Sequence, residues 1–157
     1  MCQNFLRDKM KLFVIYIGGS HEKAFIELHD MRFVVADCIE DTYDYLRKSW
    51  WGTPESLHLD AWGELKHADD YDIHITNEPS TDMVNKLFFI NLGGYDNNEF
   101  TELHKNIFIV AKNEIEAKTK SLNQIQKWHM KHRDYQFDVE KVINVSNIVG
   151  ANNAYIH

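Results

Sequence analysis

The sequence is poor in the residues that mark several classes of protein. Its two cysteines, Cys2 and Cys38, are too few for a disulfide framework, so we expect reduced thiols and a cytoplasmic location. Its longest strongly apolar run, residues 12–17, is far shorter than the roughly 20 residues of a membrane-spanning helix. The N-terminus lacks a long apolar segment and a small-residue cleavage site, so we expect no signal peptide.

Positive charge is also scarce in this chain. Its 17 basic residues are outnumbered by 24 acidic ones, which gives a formal net charge of -7, and the two signs are interspersed. Nucleic acids and anionic membranes are bound by clustered Lys and Arg, so the composition predicts neither as a partner. With 44% apolar and 13% aromatic residues, the chain has enough apolar side chains to form a core.

An internal repeat is the strongest feature that the sequence does contain. Residues 11–36 align with residues 86–111 at an offset of 75, and thirteen of the 26 aligned positions are identical. A period of this length indicates one pair of domain-sized units rather than a solenoid. The predicted organisation is an N-terminal extension (1–9), a first unit (10–75), a linker (76–85) and a second unit (86–157).

Each unit is predicted to fold as strand, strand, helix, strand, strand, which is an α+β fold. The strand segments are KLFVIYIGG, RFVVA, AWGELKH and YDIHIT in the first unit, and KLFFINLGG, IFIVA, YQFDVEKV and INVSNIV in the second. A unit of about 75 residues buries little core alone, so we expect the two units to pack as a pseudo-two-fold pair. Unpaired sheet edges also favour a homo-oligomer.

The two predicted helices each have an apolar stripe at helical spacing. The stripes are Ile39, Tyr43, Leu46 and Trp50 in the first unit, and Ile115, Leu122 and Ile125 in the second. Asp37 and Asn113 stand where N-terminal caps belong, with Glu40 and Glu116 as their reciprocal partners.

Three short motifs recur in the same order in the two units. In the first unit they are Gly18-Gly19, Glu27-Leu28-His29 and His58-Leu59-Asp60. This pattern, with the Phe-rich strands between the motifs, resembles a bacterial family known as domain of unknown function 1543, which has one or two copies per chain. The resemblance covers most of residues 10–145 and implies no known activity.

A second resemblance concerns the segment LHDMRFVVADCIEDTYDYL. It looks like the opening of a vicinal oxygen chelate (glyoxalase-type) module, in which a His near the start of the first strand often binds a divalent metal. That resemblance implies His29 and His104 as metal ligands. The same superfamily takes a Glu from its last strand, whereas KLFFINLGG contains none.

Two Glu-x-His pairs are the first candidates for a site. In an extended strand, residues i and i+2 share a face, so Glu27 with His29, and Glu102 with His104, should point together. Imidazole and carboxylate ligands suit zinc, manganese or iron, and the two pairs would supply four ligands if they met at the junction of the units. Alternatively, each Glu accepts a hydrogen bond from its His and fixes a turn or interface.

Two His-x-Asp pairs, His58 with Asp60 and His132 with Asp134, are the second candidates. They have the spacing of ligands or of an acid-base pair, and equally of an Asp that caps a turn. The glycine pairs do not predict a phosphate cradle, because a strand rather than a helix follows each of them; we expect them to allow a turn at a strand end. The sequence thus leaves two classes open: a small-molecule or metal site, with or without catalysis, and a structural or protein-interaction module.

Overall fold

The computed structural model describes residues 10–82, 84–95, 98–128 and 136–157. These residues form strands and helices in two compact units, which confirms the α+β class. Unit 1 comprises the described residues up to Lys66 together with Ile73–Pro79 and Val149–His157, and unit 2 comprises His67–Asp72 and the described part of Ser80–Ile148. Within the described ranges, no helix is long and apolar enough to cross a membrane.

Ten strands and three α-helices are present in the described residues. In chain order they are β1 (Lys11–Gly19), β2 (Leu28–Ala36), α1 (Tyr43–Ser49), β3 (His58–Glu64), β4 (His67–Ala68), β5 (Tyr71–Asp72), β6 (Ile75–Thr76), β7 (Lys86–Tyr95), β8 (Glu102–Ala111), α2 (Glu114–Trp128), β9 (Gln136–Asn144), α3 (Val145–Gly150) and β10 (Tyr155–Ile156). Short 3-10 turns span Ile39–Thr42 and Pro54–Ser56.

Unit 1 is built on an antiparallel sheet with the strand order β2-β1-β3. The central strand β1 is rich in β-branched and aromatic residues, and Ile15 and Ile17 are completely buried. The predicted stripe of the first helix packs on this sheet, with Ile39, Leu46 and Trp50 buried in the same cluster, as expected. A second, two-stranded sheet pairs β6 with β10.

Unit 2 is built on an antiparallel sheet with the order β8-β7-β9. Its core joins β7 and β8 to helix α2 through a cluster of buried residues: Phe88, Ile90, Leu92, Ile107, Ile109, Ala111, Ala117 and Ile125. The predicted reciprocal cap of α2 is present, because Asn113 Oδ1 accepts the N–H of Glu116 at 3.0 Å while Glu116 Oε2 accepts the N–H of Lys112 at 3.0 Å.

Two expectations about secondary structure are wrong. INVSNIV is not a strand, because β9 ends at Asn144 and helix α3 follows. The first helical segment is capped by Cys38 rather than by Asp37, and without a side-chain hydrogen bond. The predicted pair His132 and Asp134 lies outside the described residues.

The turn between β4 and β5 fixes this hairpin onto the rest of unit 2. Asp69 and Asp70 both adopt left-handed backbone angles, with φ of 50° and 67°, as a two-residue hairpin turn requires. The Asp69 carboxylate accepts the N–H of Val110 at 3.3 Å and the Gln124 amide at 3.4 Å, and it pairs with Lys120 at 3.5 Å. Since β8 is an edge strand, this carboxylate satisfies backbone that would otherwise be unpaired.

We therefore expect Asp69→Ala to destabilise unit 2 more than Asp70→Ala does. Both substitutions place alanine at a positive φ and carry the same backbone penalty, so their difference isolates the contacts of the Asp69 carboxylate. Hydrogen bonds that involve a charged group predict a difference of about 1.5–3 kcal/mol in the free energy of unfolding. Urea denaturation of the two variants measures it, and equal midpoints would contradict the role of Asp69.

Candidate functional site

The two candidate pairs of unit 1 come together at Gly18 in the central strand. Gly18 is paired with His29 of β2 on one side and with His58 of β3 on the other. The Glu-x-His pair and the His-x-Asp pair were predicted as separate candidates. The register of the sheet unites them in one group of four side chains, Glu27, His29, His58 and Asp60, called the unit 1 cluster below.

A β-bulge directs Asp60 into the unit 1 cluster. Ile17 pairs with Leu59 and Tyr16 pairs with Ala61, so Asp60 is an extra residue in β3 with no partner in β1. A bulge rotates the side chain of the extra residue and is a common device beside functional sites. His58 and Asp60, which are two residues apart in β3, lie on the same side of the sheet end, and Asp60 lies next to His29.

The unit 1 cluster alternates imidazoles and carboxylates. His29 Nε2 lies 3.5 Å from Glu27 Oε2 and 3.5 Å from Asp60 Oδ2. His58 Nε2 lies 3.0 Å from Glu27 Oε1 and 3.2 Å from Asp60 Oδ1. Each carboxylate thus turns one oxygen to each imidazole, and all four side chains are partly exposed to solvent.

The ring of His58 has a defined orientation. Its Nδ1 lies 2.9 Å from the carbonyl oxygen of Ser56, and because a carbonyl only accepts, Nδ1–H is the donor. This bond is the largest cause of a raised pKa for His58; desolvation opposes it, and the charges of Asp60 and Glu27 add to it. Nε2 therefore faces two acceptors and satisfies them by carrying a second proton or by binding a cation.

Tyr16 supports the other imidazole of the unit 1 cluster. Its ring stacks on the ring of His29, with centroids 5.2 Å apart and planes 5° from parallel. Burial and the negative charges of Asp60 and Glu27 raise the pKa of Tyr16, so the phenol is neutral at physiological pH. Tyr16 thus fixes the orientation of His29 without adding charge.

Gly18 is required for space rather than for an unusual turn. None of the described glycines has a positive φ, so the expected turn-forming role is wrong for them. A Cβ at Gly18 would lie 2.5 Å from Asp60 Oδ2, 2.9 Å from His58 Nε2 and 3.2 Å from His29 Cδ2. Because Gly18 has no side chain, the side chains of Asp60, His58 and His29 can pack directly against the backbone of β1.

Unit 2 places a related group beside Gly93, which is paired with His104. His104 Nδ1 lies 3.3 Å from Glu140 Oε2, and His104 Nε2 lies 3.8 Å from Glu102 Oε2. Sequence reasoning missed Glu140 because the offset of 74 between the two His-x-Asp motifs pointed to Asp134 instead. The three side chains Glu102, His104 and Glu140 are called the unit 2 cluster below.

Comparisons with known proteins identify relatives of this chain but no activity. A comparison with curated proteins found no significant match. The family described as Domain of Unknown Function (DUF1543) matches residues 24–75, which include Glu27, His29, His58 and Asp60. The crystal structure of protein Il1583 from Idiomarina loihiensis is similar at 31% identity and a TM-score of 0.64, covering 94% of this chain and 84% of that one. Residues 24–75 of the chain therefore match a family of unknown function, DUF1543.

Proposed function

We propose that unit 1 binds a divalent transition metal ion through the unit 1 cluster. The observation that carries the proposal is that the Nε2 atoms of His29 and His58 each lie within 3.5 Å of both carboxylates. A metal that bonds N and O donors at about 2.0–2.2 Å holds neighbouring donors roughly 3–3.5 Å apart. Each imidazole–carboxylate pair thus has the spacing of neighbouring ligands, but one ion among all four requires the side chains to draw closer, since in the described part of the chain only Glu102, His104 and Glu140 have ligand atoms that all lie within 4.8 Å of one another.

The donor types indicate which ions fit. Two imidazoles and two carboxylates are the mixed N and O ligands of zinc, manganese and iron sites, and they lack the thiolates of purely structural zinc sites. His58 also has the partner that metal-binding histidines generally have, since its Nδ1–H donates to a backbone carbonyl. The partial exposure of all four side chains leaves access for a small oxygen-bearing molecule as a further ligand.

Metal analysis of protein purified without a His tag tests the proposal. We expect zinc or manganese near one equivalent in unit 1, lost in His29→Ala and His58→Ala, with far-ultraviolet circular dichroism unchanged. His67→Ala is the matched control, because His67 is an exposed histidine of unit 2 that is likewise paired with a carboxylate, Asp72 at 2.6 Å. Equal metal content in the His58 and His67 variants would refute the proposal.

The second candidate function is a module for structure or protein interaction. It is favoured by Phe25 and Phe100, which are fully exposed in the loops that precede Glu27 and Glu102. Fully exposed aromatic side chains at the same place in both repeats offer apolar surface to a protein partner. Absence of metal, together with lower stability of His29→Ala, would favour this candidate over metal binding.

Several finer expectations stay predictions. They are the origin of the units by duplication, their pairing about a pseudo-two-fold axis with a shared site at their junction, the homo-oligomer and the cytoplasmic location. The glyoxalase-type likeness also stays a prediction. In that superfamily the metal-binding carboxylate comes from the last strand of the module, whereas the carboxylate partners of His29 in unit 1 are Glu27 and the bulge residue Asp60.

A further inference from the structure

The unit 2 cluster has the ingredients of a cation site of its own. Glu102, His104 and Glu140 each offer one ligand atom, and these atoms all lie within 4.8 Å of one another. The two ring nitrogens of His104 each face a carboxylate. Two carboxylates around one imidazole leave a net negative group at the sheet end, which a divalent ion would neutralise.

The unit 2 cluster is built by the same backbone device as the unit 1 cluster. Leu92 pairs with Val139 and Asn91 pairs with Lys141, so Glu140 is the extra residue of a bulge in β9. A Cβ at Gly93 would meet Glu140 and would lie 2.9 Å from Glu102 Oε1. A glycine in the central strand and a carboxylate at the bulge therefore recur although the sequence around β9 differs from that of β3.

The donor set of unit 2 is harder than that of unit 1. On β9, Asp138 is the residue paired with Gly93, whereas His58 is paired with Gly18. Unit 2 therefore has a single imidazole where unit 1 has two. Oxygen-rich sets favour manganese, magnesium and calcium, while imidazole-rich sets favour zinc.

Tyr95 orients one ligand of this group. Its phenol donates a hydrogen bond to the Glu102 carboxylate, and this bond raises the pKa of Tyr95, with smaller effects from the charges of Glu102 and Glu140. Metal-binding carboxylates are commonly held in place by such an outer hydrogen bond. Tyr95 has no counterpart in the first repeat, where Ser20 stands at the aligned position.

From these observations we propose that unit 2 binds an oxygen-preferring divalent cation through Glu102, His104 and Glu140, independently of the metal in unit 1. Relative to the unit 1 cluster, which has two imidazoles, this site is less favourable to zinc and more favourable to manganese. The chain would accordingly bind two divalent metal ions, one in each unit.

A manganese titration tests this proposal. The concentration of unbound manganese is measured at each step by electron paramagnetic resonance. The full chain, purified without a His tag and stripped with a chelator, is compared with Glu140→Gln and with His58→Ala. We expect Glu140→Gln to weaken one class of manganese site by at least about ten-fold, the scale of changes at metal ligands and their outer partners. His58→Ala should leave that class unchanged.

The control is Glu99→Gln, which removes an exposed carboxylate of the same unit outside the cluster. Thermal unfolding of each variant shows that unit 2 is folded at the titration temperature. Manganese affinity equal in the Glu140 and Glu99 variants would overturn the proposal. Loss of the same manganese site in His58→Ala would also overturn the proposal, because the site would then belong to unit 1. Loss of zinc alone in His58→Ala bears on the proposed function of unit 1 and does not bear on the site in unit 2.

Discussion

Replacing Gly18 with alanine is expected to remove metal binding from unit 1 without unfolding it. The new Cβ would lie 2.5 Å from Asp60 Oδ2 and 2.9 Å from His58 Nε2, and at these distances the atoms overlap, so the neighbouring side chains must shift. Both atoms are at the ends of side chains, so the side chains move and the strand does not. Alanine is also more favourable than glycine in a strand interior, which works against any loss of stability.

The expected effect of Gly18→Ala on zinc affinity is a loss of at least about 100-fold. Changes outside the ligands themselves already cost 10–100-fold in metal affinity, and here two ligands are displaced together. Competition with a chromogenic chelator measures the affinity, and circular dichroism measures the fold. Gly63→Ala is the matched control, because Gly63 lies in β3 of the same unit and nothing lies within 4 Å of the position of its Cβ. Wild-type affinity in Gly18→Ala would show that the cluster is not a metal site.

The sequence identified the four residues of the unit 1 cluster but not their grouping. Alternation along a strand is enough to predict that Glu27 and His29 share a face, and likewise His58 and Asp60. Their convergence depends on β2 and β3 flanking β1 on opposite sides, with Gly18 in register with both. Register between strands depends on packing across the whole sheet, so a single sequence does not reveal it.

Glu140 shows why the site of unit 2 was harder to predict. It occupies the bulge position of β9 that Asp60 occupies in β3, so these two equivalent residues are 80 positions apart, whereas the two His-x-Asp motifs are 74 apart. Alignment at a constant offset therefore selects the wrong residue. The sequence contains no signal for this change of offset, and the recurring His-x-Asp motif pointed to His132 and Asp134 instead.

The fold was predicted well where propensity and periodicity agreed, and wrongly where they competed. INVSNIV is rich in β-branched residues and was predicted as a strand. Asn144 Oδ1, however, accepts the N–H of Asn147 at 3.1 Å, which is the contact of a helix cap, and Val145 and Val149 are buried in helix α3. A local cap together with burial of one helical face outweighs the weak β-propensity of a short segment.

Ile125→Ala is expected to destabilise unit 2 strongly, whereas Ile115→Ala in the same helix should have almost no effect. Both isoleucines were assigned to one apolar stripe of α2. Ile125 is 6% exposed and packs in the core of unit 2, while Ile115 is 79% exposed. The buried face runs instead through Ala117, Ser121 and Ile125, which are four residues apart, and the small residues at the first two positions concealed it from a search for large apolar side chains.

Removal of the buried Ile125 side chain creates a cavity and should lower the free energy of unfolding by about 2–5 kcal/mol. For Ile115→Ala we expect a change within about 0.5 kcal/mol, the usual range at exposed positions. Urea denaturation measures the free energy of unfolding of the two variants. Both carry the same Ile→Ala substitution in the same helix, so the change in helix propensity cancels between them. A similar loss in both variants would mean that Ile115 is covered in the folded protein, and the face of α2 that packs on the sheet would then have to be reassigned.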